Sequence, residues 1–280
     1  MSTWRLDVHG LSLVVRELSP EAQRGGTPIV CLHGWLDNGA AFLPMSAMRP
    51  GRWLALDQRG FGQSDHIGAG GYYHFADLLP DLDALVAHLG QPVDLVGHSM
   101  GGTVAAMYAA IRPDKVRRLV VAEGLGAIEW GTKSLIERMR GHLDGMRRRP
   151  GPVRLRDVQD GAKRLMKRHQ GLEAEHAMHL AEHGITEDEH GVRWAFDPLH
   201  MVGGAYPFRE EWFQEFLEAI CVPTLIVWGS ESWYPAEVRK SRAGAIKGAR
   251  IEVLKGGHML PYDAPKALGD LIADHLELQT

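Results

Sequence analysis

The 280-residue chain predicts an α/β fold: a mostly parallel central sheet with flanking helices and an inserted helical cap. Three observations carry that reading. Short apolar runs alternate with helical patterns from residue 28 to about 124. The alternation stops over about 125–215, where helical patterns follow one another with no clear strand between them. It resumes at "VPTLIVWG" and continues to the C-terminus. The chain thus divides into a core of 1–124 and 216–280 and a cap, or lid, of 125–215.

Each element has its own signal. Residues 3–18 alternate loosely around "HG" and predict a hairpin of two edge strands. "PIVCLHG" at 28–34 is an apolar run closing on glycine, as a buried parallel strand does, and "GRWLALDQRG" supplies the next at 52–57. Leu78, Leu82, Leu85, Val86 and Leu89 form one stripe of a helix over 73–89, with Pro80 disturbing its first turn. "PVDLVGHS" is a strand, 100–112 a helix rich in alanine and glycine, and "VRRLVVAEG" another strand. The cap contributes "SLIERMRGHLDGMRRR", "DVQDGAKRLMKRHQ", "EAEHAMHLAEHG" and "FREEWFQEFLEAI". After it come a strand at 222–229, a helix near 235–246, the strand "RIEVLKGG" and a final helix over 264–278.

Composition excludes several classes. The chain has 31 Lys and Arg against 35 Asp and Glu, which gives no argument for a nucleic-acid or anionic-membrane partner. No run approaches the roughly 18 apolar residues of a membrane span, so no integral membrane association is expected. The N-terminus lacks a basic region followed by an apolar core, and a cytoplasmic location is the expectation. Cys31 and Cys221 both lie in apolar, strand-like segments and are expected as buried free thiols. A monomer or homodimer is expected.

"VDLVGHSMGGTVAAMYAA" carries the first chemical signal. Ser99 stands between Gly97 and Gly101, after an apolar strand and before a helix. A sharp strand-to-helix turn admits only small residues at those two positions, lifts the serine above the sheet edge and aims the helix N-terminus at it. Free N–H groups there suit a developing oxyanion. In "LKGGHMLPYDAP", His258 follows a strand, where a loop histidine reaches the crevice at the carboxyl end of a sheet and can take the Ser99 proton. In "CLHGWLDN", Gly34 allows close backbone approach, so that the N–H of Trp35 pairs with that of Met100 as an oxyanion hole. The cap histidines His142, His169, His176, His179, His183 and His190 follow no metal-ligand spacing, so no metal is expected. No phosphate-binding or dinucleotide motif is present, and no cofactor is expected either.

With "HGW" at 33–35, "DQRGFGQSD" at 57–65, "GHSMGG" at 97–102 and "GGHMLPYDAP" at 256–265 in this order, the chain resembles the α/β-hydrolase superfamily over nearly its whole length. "CLHGWLDN" further resembles the serine-hydrolase-like branch. The resemblance implies Ser99 as acyl-forming nucleophile, His258 as base, and Asp57 and Arg59 as loop-ordering residues. It also exposes a departure. Such proteins usually carry an aspartate three residues past the glycine that ends the "LIVWG" strand, and here that position holds Ser232. Two replacements are open. Glu231 lies one residue short in a polar loop. Glu123 ends the preceding strand, directly after four apolar residues, where some relatives keep their acid. A carboxylate so placed is costly unless a partner such as a histidine N–H meets it, which favours Glu123. Asp83, Asp94 and Asp114 read as helix-end or surface groups.

A serine nucleophile suits attack on a carbonyl. The expected activity is hydrolysis of a small-molecule carboxylic ester. A thioesterase, lactonase or C–C bond hydrolase with the same triad, and a non-catalytic binding protein on the same fold, are the alternatives. The tryptophans Trp130, Trp194, Trp212 and Trp233 read equally as core or pocket lining.

Overall fold

A computed structural model describes residues 1–23, 25–128, 134–169 and 172–278. Its strands are β1 (Ser2–Val8), β2 (Leu11–Glu17), β3 (Pro28–Leu32), β4 (Arg52–Asp57), β5 (Val93–His98), β6 (Val116–Ala122), β7 (Ile185–Asp188), β8 (Gly191–Trp194), β9 (Thr224–Gly229) and β10 (Arg250–Leu254). Its α-helices are α1 (Leu43–Ser46), α2 (Leu78–Leu89), α3 (Met100–Ile111), α4 (Leu135–Arg148), α5 (Val158–Arg168), α6 (Ala174–Gly184), α7 (Glu210–Ala219), α8 (Ala236–Ala245), α9 (Leu260–Asp263) and α10 (Pro265–Leu276). Eight strands form one sheet in the order β1-β2-β4-β3-β5-β6-β9-β10, parallel from β4 onward and antiparallel through β1 and β2.

Because side chains alternate across a strand, each central strand feeds two cores. Val30, Leu32, Leu95, Val121 and Ile226 face α2, α3, α7 and α8. Ile29, Cys31, Val96, Val120 and Val227 face α1, α9 and α10, joined by Ala177, Leu180 and Ala181 of α6. β3 and β5 are buried at every position, β3 as its uninterrupted apolar run predicted and β5 with Asp94 and His98 enclosed among its apolar residues.

Five expectations need correction. Only β1 is an edge strand of the hairpin, since β2 pairs with β4 on its other side. The stripe over 73–89 is α-helical only from Leu78, after a 3-10 turn at Phe75–Asp77. Pro80 sits in the first turn of α2, where backbone N–H groups have no intrahelical acceptor and its missing donor costs little. Cys31 is buried, but Cys221 is exposed, in the connector before Pro223 and ahead of β9. Asp94 is buried rather than superficial and pairs with Arg117 at 2.9 and 3.1 Å. The inserted block also contains a small antiparallel hairpin, β7–β8. Its strands are short and half-buried on both faces, so they show no apolar alternation to read.

Helices α4 to α6 and this hairpin lie between β6 and β9 in the chain, and α5 packs along α6. Helix α7 packs on α3 through Phe213 and Leu217. Among the described residues, no helix is long and apolar enough to cross a membrane.

Candidate active site

The central strands end at one rim, and the candidate residues gather there. Ser99 occupies the turn between β5 and α3 at φ 53° and ψ −119°, a conformation that costs an L-residue energy and persists only where the surroundings enforce it. The enforcement is steric. A Cβ on Gly97 would lie 2.5 Å from the Gly101 carbonyl oxygen, and one on Gly101 would lie 2.1 Å from that of Leu32. The Ser99 N–H donates to Ala122 O at 3.0 Å, tying the turn to the end of β6.

His258 arrives from the loop after β10. Ser99 Oγ lies 2.9 Å from its Nε2, and Glu123 Oε2 lies 3.1 Å from its Nδ1. With the proton on Nδ1, the ring donates to Glu123 and accepts from the serine hydroxyl. Glu123 follows β6, is fully buried, and has φ 51°. Its carboxylate also accepts the Gly229 N–H at 2.7 Å on Oε1 and the Ser232 hydroxyl at 2.9 Å on Oε2. Three donors thus offset the cost of enclosing a charge. Ser232 stands where an aspartate was looked for, and it serves the glutamate of the neighbouring strand. Glu231 is exposed, and its backbone N–H joins Gly256 O at 2.9 Å. The structure therefore brings Ser99, His258 and Glu123 together and leaves the Glu231 side chain at the surface.

The loop after β3 passes close to the serine. A Cβ on Gly34 would lie 3.2 Å from that of Ser99, a tight contact that glycine avoids. Trp35 follows, with its indole half-exposed. Met100, as the first residue of α3, has no carbonyl one turn earlier within the helix to receive its N–H. The two backbone donors named from the sequence thus come from segments that flank Ser99.

Three histidines stiffen this rim, His33 and His98 fully buried and His200 partly so. His33 donates from Nδ1 to Gly34 O at 2.8 Å and accepts the Gln58 N–H on Nε2 at 3.1 Å. Burial pushes its pKa down to about 4, so it stays neutral. His98 donates from Nε2 to the His258 carbonyl at 2.8 Å, bracing the loop that carries the candidate base. Burial, and then His258, push its pKa down to about 3. His200 reaches Arg59 O at 3.0 Å and stacks on Phe61 and Tyr73. Farther out, Arg16 grips Asp57 at 2.8 and 2.7 Å, and Arg59 grips Asp81 at 2.7 and 2.6 Å. Asp57 also accepts the Gly39 and Gln63 N–H groups, at 2.7 and 2.9 Å. Asp57 and Arg59 are loop fasteners, away from the serine.

A cavity of about 350 Å³ opens over Ser99 and His258. Trp35, Trp194 and Trp233 line it, and α5 contributes Arg168 with His169 just beyond. The Trp233 ring centroid lies 5.0 Å from that of His258. Trp212 is 67% exposed on α7, neither core nor lining, and Trp130 lies outside the described residues. A larger groove of about 740 Å³ beside Leu18 and Met48 contains none of the candidate residues. His98, Asp37, Arg168 and His169 were not singled out from the sequence as site groups, because only the fold brings them to Ser99. A weak signal existed for His98, which immediately precedes the serine.

Comparison with known proteins places this geometry. Residues 27–265 match the family model for the alpha/beta hydrolase fold. A serine hydrolase-like protein of Danio rerio is 34% identical over 118 residues, 41% of this chain and 36% of that protein, so the match spans about a third of the relative. A serine hydrolase-like protein of Dictyostelium discoideum is 24% identical over 95% of this chain and 79% of its own length. Among solved structures, the thioesterase domain from the curacin biosynthetic pathway superposes with a TM-score of 0.85 at 30% identity, covering 97% of this chain and 99% of that one. The match over most of the chain, with the serine at the turn between β5 and α3, establishes that this protein belongs to the α/β-hydrolase superfamily, with similarity to the serine hydrolase-like proteins.

Proposed function

We propose that the protein is a serine hydrolase that cleaves a small-molecule carboxylic ester through an acyl-enzyme on Ser99. The observation that carries the reading is the position of His258, within hydrogen-bond reach of Ser99 Oγ on one side and buried Glu123 on the other. In this mechanism His258 takes the serine proton as Oγ attacks the carbonyl carbon. Glu123 steadies the imidazolium, and the N–H groups of Trp35 and Met100 receive the developing oxyanion. Collapse of the tetrahedral intermediate breaks the ester C–O bond, and His258 returns the proton to the leaving alkoxide. Water, deprotonated by His258, then attacks the acyl carbon; the bond to Ser99 Oγ breaks, His258 returns the proton to Oγ, and the acid leaves. Helices α4 to α6 and the β7–β8 hairpin act as the cap, with Trp194 as a wall of the acyl pocket.

A thioester substrate is the second reading. The same steps apply with a thiolate leaving group, and likeness to a thioesterase domain at 30% identity over 97% of the chain favours it.

The test joins labelling to turnover. A fluorophosphonate probe is expected to label Ser99 in the wild type and to lose that labelling in H258A, while S99A retains the fold but less than a few per cent of kcat on p-nitrophenyl acetate. Labelling at another residue, or an active S99A, would remove the serine mechanism. Relative kcat/KM on matched oxoesters and thioesters then separates the two readings.

A further inference from the structure

We propose that the cavity over Ser99 holds an anion subsite built on Arg168, so that the natural substrate carries a carboxylate a few atoms from its scissile carbonyl. The inference deepens the hydrolase reading and rests on it for the word substrate, though the subsite itself is a matter of binding.

Arg168 is the last residue of α5 and lines the same cavity as Ser99 and His258. Its guanidinium carbon sits 5.4 Å from the centroid of the Trp35 ring. A guanidinium held over an aromatic face by a cation–π contact still has its N–H donors available, and these can grip a carboxylate with two parallel bonds. Among the described residues no carboxylate pairs with it. Its cap neighbours are paired: Arg164 holds Asp160 at 2.8 Å, and Arg193 holds Asp188 at 2.9 Å. A charge left unpaired over a reaction site is available to a ligand.

The rest of the lining leaves that charge standing. Asp37 is the single carboxyl among the described lining residues. Its Oδ2 is buried without a partner, and burial pushes its pKa up to about 7. Below neutrality it is mostly uncharged and does little to cancel Arg168. His169, next in the chain and also in the lining, is pushed down to about 4 by burial and then by Arg168, so it offers a neutral hydrogen-bonding ring. A purely dipolar role at the end of α5 would serve equally for Lys167, which does not line the cavity. The orientation over Trp35 separates the two residues. Trp35 is also the proposed oxyanion donor, so an anion held by Arg168 would lie beside the acyl carbonyl.

Binding can be measured without turnover. In S99A, isothermal titration calorimetry is expected to show monomethyl glutarate binding at least tenfold tighter than dimethyl glutarate. Adding R168Q should abolish that preference, adding R168K should keep part of it, and adding R140Q on α4 should leave it intact. In the Ser99-containing protein, R168Q should lower kcat/KM for mono-p-nitrophenyl glutarate ten- to hundredfold and for p-nitrophenyl butyrate less than threefold. Equal affinity for both glutarate esters, a preference that survives R168Q, or equal loss on both nitrophenyl esters would overturn the subsite. A wild type that turns over neither ester, yet shows the Arg168-dependent preference on the S99A background, would discard the hydrolase reading and leave the subsite standing.

Discussion

The rim of the sheet and the inserted block handle charge in opposite ways. At the rim, Arg16–Asp57 is buried on both sides, and Arg59–Asp81 nearly so, each pair making two hydrogen bonds. Removing one member of such a pair strands the other and typically costs about 3–5 kcal/mol. In the block between β6 and β9, arginines meet acids near water. Arg154 and Arg193 flank Asp188 and hold its carboxyl well below the usual carboxylate range, while the Arg156 backbone N–H, followed by the Arg156 and Arg164 side chains, lowers that of Asp160. Helix α4 buries no residue at all. The difference teaches where variation can be absorbed. The rim holds the proposed chemistry rigidly and tolerates little, while the exposed faces of the block, away from Ala177, Leu180 and Ala181 of α6, can exchange side chains without endangering the sheet.

The sharpest way to break that contrast is through the two glutamates. E123Q keeps shape but loses the charge that fixes the His258 tautomer, and a loss of about 10²–10⁴ in kcat is expected, by analogy with triad aspartates. E231Q at the exposed loop should change kcat no more than a few-fold. Activity per folded molecule, followed at several pH values, checks both. A hundredfold loss in E231Q with E123Q near wild type would move the acid to the "WGSESW" loop.

Two glycines in helices make the same comparison for stability. G101A puts a methyl group 2.1 Å from the Leu32 carbonyl oxygen and is expected to cost several kcal/mol or prevent folding, roughly the largest class of single-site effects. G141A on α4 meets nothing within 4 Å and should stabilise by about 0.5–1 kcal/mol through helix propensity. Denaturant midpoints for the two variants check the pair. Similar midpoints would mean that the turn at Ser99 is more yielding than its geometry indicates.

The smallest effect expected is a pH-dependent one. Asp37 is pushed up from its ordinary value to about 7, so the folded state binds a proton that the unfolded chain has lost. Stability attached to this group is full below about pH 4 and declines as pH rises through 7. D37N retains the oxygen that accepts the Asn38 N–H. It should therefore raise Tm by about 2–4 °C at pH 8 and leave it nearly unchanged at pH 4. A gain that is larger in acid would contradict the assignment. His33 and His98 have the opposite sign. Their lowered values mean that the unfolded chain takes up protons first, so stability falls as pH drops from about 6.5 toward 4.

Much of this architecture could be read before any coordinates. The buried strands announce themselves because β3 and β5 have no solvent face: β3 is apolar throughout, and β5 is apolar except for Asp94 and His98, each met by a hydrogen-bond partner. The turn at Ser99 was legible because its steric demand falls on Gly97 and Gly101, which have few substitutes. Glu123 was legible as a charge placed after four apolar residues. What stayed hidden was set by tertiary neighbours. Arg168 reads like any basic residue at a helix end until Trp35 is found beneath it, and Asp37 reads like a turn aspartate until its Oδ2 proves enclosed. The β7–β8 hairpin escaped because ion pairs and a turn at Gly191, rather than an apolar face, define it.

The hydroxyl of Ser232 resting on Glu123 carries one more consequence. Strands β6 and β9 are neighbours, with Ala122 beside Val227, so their ends stand about 5 Å apart. One imidazole edge is therefore within reach of a side chain from either strand. A lineage can move its carboxylate across that gap while the ring, the serine and the loop that carries each stay where they are. Two ancestral substitutions in either order would suffice, with an intermediate holding two acids or a serine and a water. The histidine is the fixed landmark of such a site, and the acid is better sought outward from its Nδ1 than at a numbered place along the chain.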